Sequence, residues 1–137
     1  MGESQTQAGM PYDQWWDWVH NLRVSTEDLM REFFFAKADF EVAKKRVEWY
    51  KGRKRVLREY DRARDKMLDL INTALGLMSS IDRAIEVGKA IPESQRRENY
   101  DHLMWRLSQA RESVAKVIDY ARQNGLIEDL KDGVKPR

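Results

Sequence analysis

Three long series of apolar residues, each stepping by three and four positions, constrain this chain more than anything else in it. Leu29, Phe33, Ala36, Phe40, Ala43, Val47 and Tyr50 form the first. Val56, Tyr60, Ala63, Met67, Leu70, Ala74, Met78, Ile81 and Ile85 form the second, and Tyr100, Leu103, Leu107, Ala110, Val114, Val117 and Ala121 the third. Alternating steps of three and four keep side chains on one face of an α-helix, and no segment alternates polar and apolar residues as a half-buried strand does. The spacing therefore predicts an all-α fold, an antiparallel bundle of about three long helices. A short Trp-rich helix over Tyr12 to Leu22 precedes them, because Ser25, followed by Glu27 and Asp28, reads as the N-cap of a fresh helix.

The joints follow from punctuation. The first seam loses phase near Gly52 and resumes rotated around the helix, which predicts a bend or tight turn there; a continuous rod over 26–89, about 96 Å at 1.5 Å per residue, is the alternative. Gly88 and Pro92 mark the end of the second helix, a third runs from Glu93 to Gln123, and Asn124-Gly125 stops it. With 137 residues the chain fits one domain. Residues 1–11 read as a flexible lead-in, 12–125 as a single helical domain and 126–137 as a C-terminal tail with at most a short turn through Leu126, Ile127 and Leu130.

Composition removes several functions. Cysteine is absent and only His20 and His102 are present, which leaves no disulfide framework and no thiolate metal site. No apolar run reaches the length of a membrane span, and the N-terminus lacks the order of a secretory signal, so the expected location is a virion or the cytoplasm. Met1-Gly2-Glu3-Ser4-Gln5-Thr6 matches a short and common acylation pattern at Gly2. No phosphate loop, nucleophile elbow or metal-binding histidine pair is visible, so no enzyme and no cofactor is expected. The ladder Asp61, Asp65, Asp69 has the spacing to hold a hard cation, but Arg58, Arg62 and Lys66 beside it make salt bridges the better explanation. His102 reads as a partly buried structural histidine and His20 as the end of a short helix.

Charge carries the functional signal. The chain holds 25 Lys and Arg against 23 Asp and Glu, a balance that hides a segregation. Residues 44–66 contain eleven basic and four acidic residues, net +7, which leaves −5 for the remainder. Pairing along one helix accounts for residues 58–66. Between Lys44 and Arg55, however, seven of twelve positions are basic and Glu48 is the only acid. Like charge held together repels itself, so a polyanion is the natural partner: nucleic acid first, then an anionic membrane surface or an acidic protein. The candidate contacts are Lys44, Lys45, Arg46, Lys51, Arg53, Lys54, Arg55 and Arg58, with Trp49 as an aromatic contact because it lies off the seam that holds Tyr50 and Tyr60.

The aromatics give a second signal. Successive helical residues are turned by about 100°, so Trp15, Trp16 and Trp18 cannot all face inward, nor can Phe33, Phe34 and Phe35. Trp15, Trp16, Trp18, Phe34 and Phe35 are therefore candidates for self-association, in a homo- or hetero-oligomer.

A small helical chain with a polar lead-in, an aromatic first helix, surfaces suited to self-packing and the basic stretch Ala43-Lys44-Lys45-Arg46-Val47-Glu48-Trp49-Tyr50-Lys51-Gly52-Arg53-Lys54-Arg55-Val56 resembles the coat proteins of filamentous and rod-shaped DNA viruses of archaea. It departs from the rod-shaped members in being richer in charge and poorer in small residues. The resemblance implies a structural protein that wraps double-stranded DNA without reading its sequence. A helical adaptor or phage-type inhibitor with a basic interaction face is the alternative.

Overall fold

A computed structural model of the chain describes residues 10–131. Gly2 of the acylation pattern and most of the lead-in lie outside these residues, as do Gly133 and Pro136 of the tail. Three long packed helices account for most of the described chain: α1, Tyr12–Trp49; α2, Lys54–Ala90; and α3, Tyr100–Gln123. A short helix, α4, follows at Leu126–Lys131. There is no strand among the described residues.

The separate Trp-rich helix does not exist, because α1 runs unbroken from Tyr12. Ser25 is not a cap. Its neighbour Thr26 is buried and donates its hydroxyl to the carbonyl of Leu22 at 2.8 Å, so a polar residue sits in the seam with its hydrogen bond made inside the helix. With Thr26 included, the buried series runs Tyr12, Trp15, Val19, Leu22, Thr26, Leu29, Phe33, Ala36, Phe40, Ala43, an unbroken heptad stripe.

At Gly52 the chain turns rather than continuing as a rod. Arg53 N–H donates to the Tyr50 carbonyl at 3.3 Å, and Gly52 takes φ +83°, a left-handed conformation that a side chain disfavours. Tyr50, expected on the seam, is exposed at this turn, and Val47 is half-buried. In the second half of α2, Leu77 and Ala84 are buried where Met78 and Ile85 were expected, and those two are half-buried beside them. The third helix starts at Tyr100, not Glu93: a single 3-10 turn at Glu93–Gln95 and an extended Arg96 precede it. All seven residues of its expected seam are buried. Gly125, at φ +73°, ends it, while the Asn124 side-chain amide donates to the Tyr120 carbonyl at 2.8 Å.

Among the described residues the contacts form two units, 10–27 with Gly76–Ala115, and Asp28–Leu75 with 116–131. The first unit is organised around Trp15. Its indole N–H donates to the Ala84 carbonyl at 2.9 Å and its ring stacks on Tyr100 at 5.6 Å. The Tyr100 hydroxyl in turn donates to the Gly88 carbonyl at 2.8 Å. Each buried polar group of these aromatics thus has a partner. Arg111 bridges Asp82 at 2.7 Å, so α3 ascends as α2 descends. Tyr12 donates to Asn99 at 2.7 Å, and burial raises its phenol above the ordinary range.

In the second unit, Phe40, Met67, Leu68, Ile71, Val117, Ala121 and Leu126 form the core. Phe40 stacks on Tyr60 at 5.8 Å, and burial raises the Tyr60 phenol. Glu32 pairs with Lys66 and Arg46 with Glu59, which makes α1 and α2 antiparallel here. The Tyr120 hydroxyl donates to Glu41 at 2.9 Å and Lys44 to Asn124 at 2.9 Å, setting α3 alongside α1 in the same direction. Arg64 holds α4 through Asp129 at 2.6 Å. Its other carboxylate neighbour, Asp65 at 3.9 Å, is the buried member of the Asp61, Asp65, Asp69 ladder.

Candidate nucleic-acid interface

All nine residues expected to meet nucleic acid lie in the second unit, on the last turns of α1, the connecting turn and the first turns of α2. Reversal at Gly52 is what brings the two halves of the basic stretch together. The two helix ends differ in what they ask for. Cations at the C-terminal end of α1, where Lys45 and Arg46 lie, offset the negative end of the helix dipole. The first turn of α2 carries Lys54 and Arg55 and no acid, an arrangement that opposes the dipole by roughly 0.3–1 kcal/mol per charge. Arg53, preceding α2, has no side-chain acceptor to cap its free N–H groups. Stability of α2 therefore does not account for these cations, whereas an external anion would satisfy both the charges and the N–H groups.

The nine are not equally available. Lys44 is half-buried, bonded to Asn124 and set over the Phe40 ring at 5.5 Å. Arg46 is half-buried too, with Glu59 at 3.5 Å and its Nε buried without a hydrogen-bond partner. Arg55 also approaches Glu59 at 3.5 Å but leaves 84% of its side chain in solvent, where such a pair contributes little. Lys45, Lys51, Lys54 and Arg58 are exposed, and Arg53 lies over the Tyr50 ring at 5.3 Å. Trp49 is 70% exposed. It borders a groove of about 480 Å³ lined by Val42, Arg46, Tyr50, Arg53 and Val56. A second groove, of about 460 Å³ and sharing Val42 and Arg46, runs between α1 and α2 past Asp39, Glu59, Arg62 and Lys66. Arg62 and Lys66 extend the basic surface beyond the expected set; their four-residue spacing from Arg58 was the available signal.

The candidates for self-association fall in different surroundings. Trp15 is fully buried in its own unit and presents nothing to a neighbour. Trp16 is partly exposed, and Trp18 is half-buried along a groove of about 600 Å³ with Met10, Arg83, Glu86 and Val87. Phe34 and Phe35 are 70% and 62% exposed and pack edge to face at 5.4 Å. Composition pointed to neither Val42 nor Trp105, both largely exposed; Trp105 stacks on His102, which is exposed rather than partly buried. His20 lies within α1, not at a helix end.

Among the described residues no group of three His, Cys, Asp or Glu is placed to hold a metal ion, and no helix is long and apolar enough to cross a membrane. The chain matches no protein-family model, no curated protein and no solved structure.

Proposed function

We propose that this chain is a non-enzymatic structural protein that binds nucleic acid through its α1–α2 turn, without reading sequence, and assembles with copies of itself along double-stranded DNA in the manner of a virion coat. The observation that supports it most is the first turn of α2, where Lys54 and Arg55 stand with no acidic residue among them, next to exposed Lys51 and Arg53. Phosphates would neutralise these cations and release the counterions condensed on DNA, while helix N–H groups add direction. The exposed rings of Phe34 and Phe35 supply apolar surface for joining neighbours. Electron microscopy of the protein mixed with duplex DNA tests the whole reading. Ordered filaments, absent without DNA and dissolved by salt, are the expected result; unchanged bare duplex would sink it.

A further inference from the structure

We propose that the outer face of α1 in the second unit is the site where a second copy docks, antiparallel, about a twofold axis at Val42. The inference deepens the self-assembly part of the function proposed above and rests on it. Phe35, Val42 and Trp49 are 62%, 58% and 70% exposed. They recur every seven residues, which on a helix places the outer two within about 20° of the central one, a stripe about 21 Å long. None of the described residues covers it, and the rings are too large and too regularly spaced for scattered surface apolars.

The stripe is its own complement when reversed. Positions 35 and 49 are equidistant from 42, so antiparallel pairing about Val42 sets Phe35 against the partner's Trp49 and Trp49 against the partner's Phe35. Charge agrees with that orientation. Asp39 and Arg46 lie on one flank of the stripe and line the same groove with Val42. A twofold axis of this kind faces a flank with its own copy, which brings Asp39 opposite the partner's Arg46 with an offset of about 1.5 Å along the helix. Arg46 pairs with Glu59 at 3.5 Å within the chain and keeps 43% of its side chain exposed, room for a second acid.

Parallel pairing would place the two basic turns side by side. Antiparallel pairing separates them by about 25 Å along the helix axis, well beyond the Debye length of about 8 Å at physiological salt. The area is that of a small interface. Aromatic side chains bury about 150–250 Å² each, so at the fractions exposed Phe35 and Trp49 offer about 400–660 Å² over a pair. Val42, the Arg46 stem and the near edge of Phe34, which lies about 80° around the helix from Val42, bring the total toward the roughly 1,000 Å² that a specific interface needs. The dimer that results presents one basic turn toward each end, which suits a subunit that bridges adjacent stretches of a polyanion.

The chain has no cysteine, so introduced thiols report alone. Val42→Cys treated with a short bis-maleimide in the absence of nucleic acid is expected to yield cross-linked dimer as the main product at tens of micromolar protein. Phe35→Cys and Trp49→Cys should cross-link when mixed and not separately, since each alone holds its thiols about 21 Å apart. Val42→Cys that stays monomeric assigns the stripe to a different partner and overturns the proposal; Phe35→Cys that cross-links with itself as readily as Val42→Cys overturns the antiparallel register. Retention on duplex DNA, measured on the same Val42→Cys protein, separates the two readings. Retention without cross-linking overturns the pairing alone, and cross-linking without retention overturns the DNA reading alone.

Discussion

The ring of Trp15 lies so close to Gly88 that a β-carbon on Gly88 would stand 2.7 Å from it, with Met104 Sδ at the same distance. Gly88 is thus a packing position inside α2, not a stop signal, and the stacked Tyr100 and the bond to Ala84 keep the indole from moving aside. An alanine would gain up to about 1 kcal/mol of helix propensity and incur about 1–3 kcal/mol of overpacking against a rigid ring. Gly88→Ala is expected to lower the urea midpoint, with a net loss of about 1–2 kcal/mol; a gain in stability would show that the indole can yield.

Tyr120 joins α3 to α1 by donating to the Glu41 carboxylate, with Phe33 edge-on to its ring at 5.5 Å and the Lys37 ammonium over it at 5.1 Å. Burial first, then the bond to Glu41, raises its phenol well above the ordinary value near 10. The fold holds the neutral phenol more firmly than the unfolded chain does. The resulting stability is complete below about pH 10 and is lost as pH rises through the higher folded value. Tyr120→Phe should forfeit about 0.5–1.5 kcal/mol at pH 8 and lose part of the alkaline decline. Urea midpoints of both proteins at pH 8 and pH 11 check this, and equal declines would contradict it.

Arg64 and Asp129 make the contact that pins α4, with both side chains less than a third exposed. Asp129→Ala leaves a mostly buried guanidinium with Asp65 at 3.9 Å. The expected loss is about 1–2 kcal/mol, less than for a wholly uncompensated buried charge, together with earlier proteolytic cleavage near Gly125. Arg64→Met, which removes the charge but keeps packing volume, should be milder. Equal losses for the two variants would rule out charge as the reason.

Helix identity was legible wherever the core was apolar. The α3 seam from Tyr100 to Ala121 needs nothing beyond spacing. The continuity of α1 was obscured by one residue: Thr26 is polar, and Ser25 beside it has the chemistry of a cap, yet the steps of three and four run through Thr26 without a gap. Gly88 was beyond sequence reasoning because its reason is Trp15, 73 positions away, and a glycine near a helix end ordinarily reads as a terminator. The basic turn was legible because its charges are adjacent in sequence. That Lys44 and Arg46 are partly engaged was not, since Asn124 and Glu59 reach them only through the fold.

The salt dependence of duplex DNA affinity tests the central claim most directly. With Lys45, Lys51, Arg53, Lys54, Arg55 and Arg58 exposed and a helical surface able to turn only part of them to one duplex, about three to five phosphates would be neutralised. A plot of log affinity against log salt should then have a slope of about −2.7 to −4.5, with little difference between unrelated sequences. The triple variant Lys51→Glu, Arg53→Glu, Arg55→Glu should keep its helical circular dichroism and lose at least about a hundredfold in affinity at low salt. A flat salt response, or a charge-reversed protein that holds DNA as tightly as the original, would contradict the account.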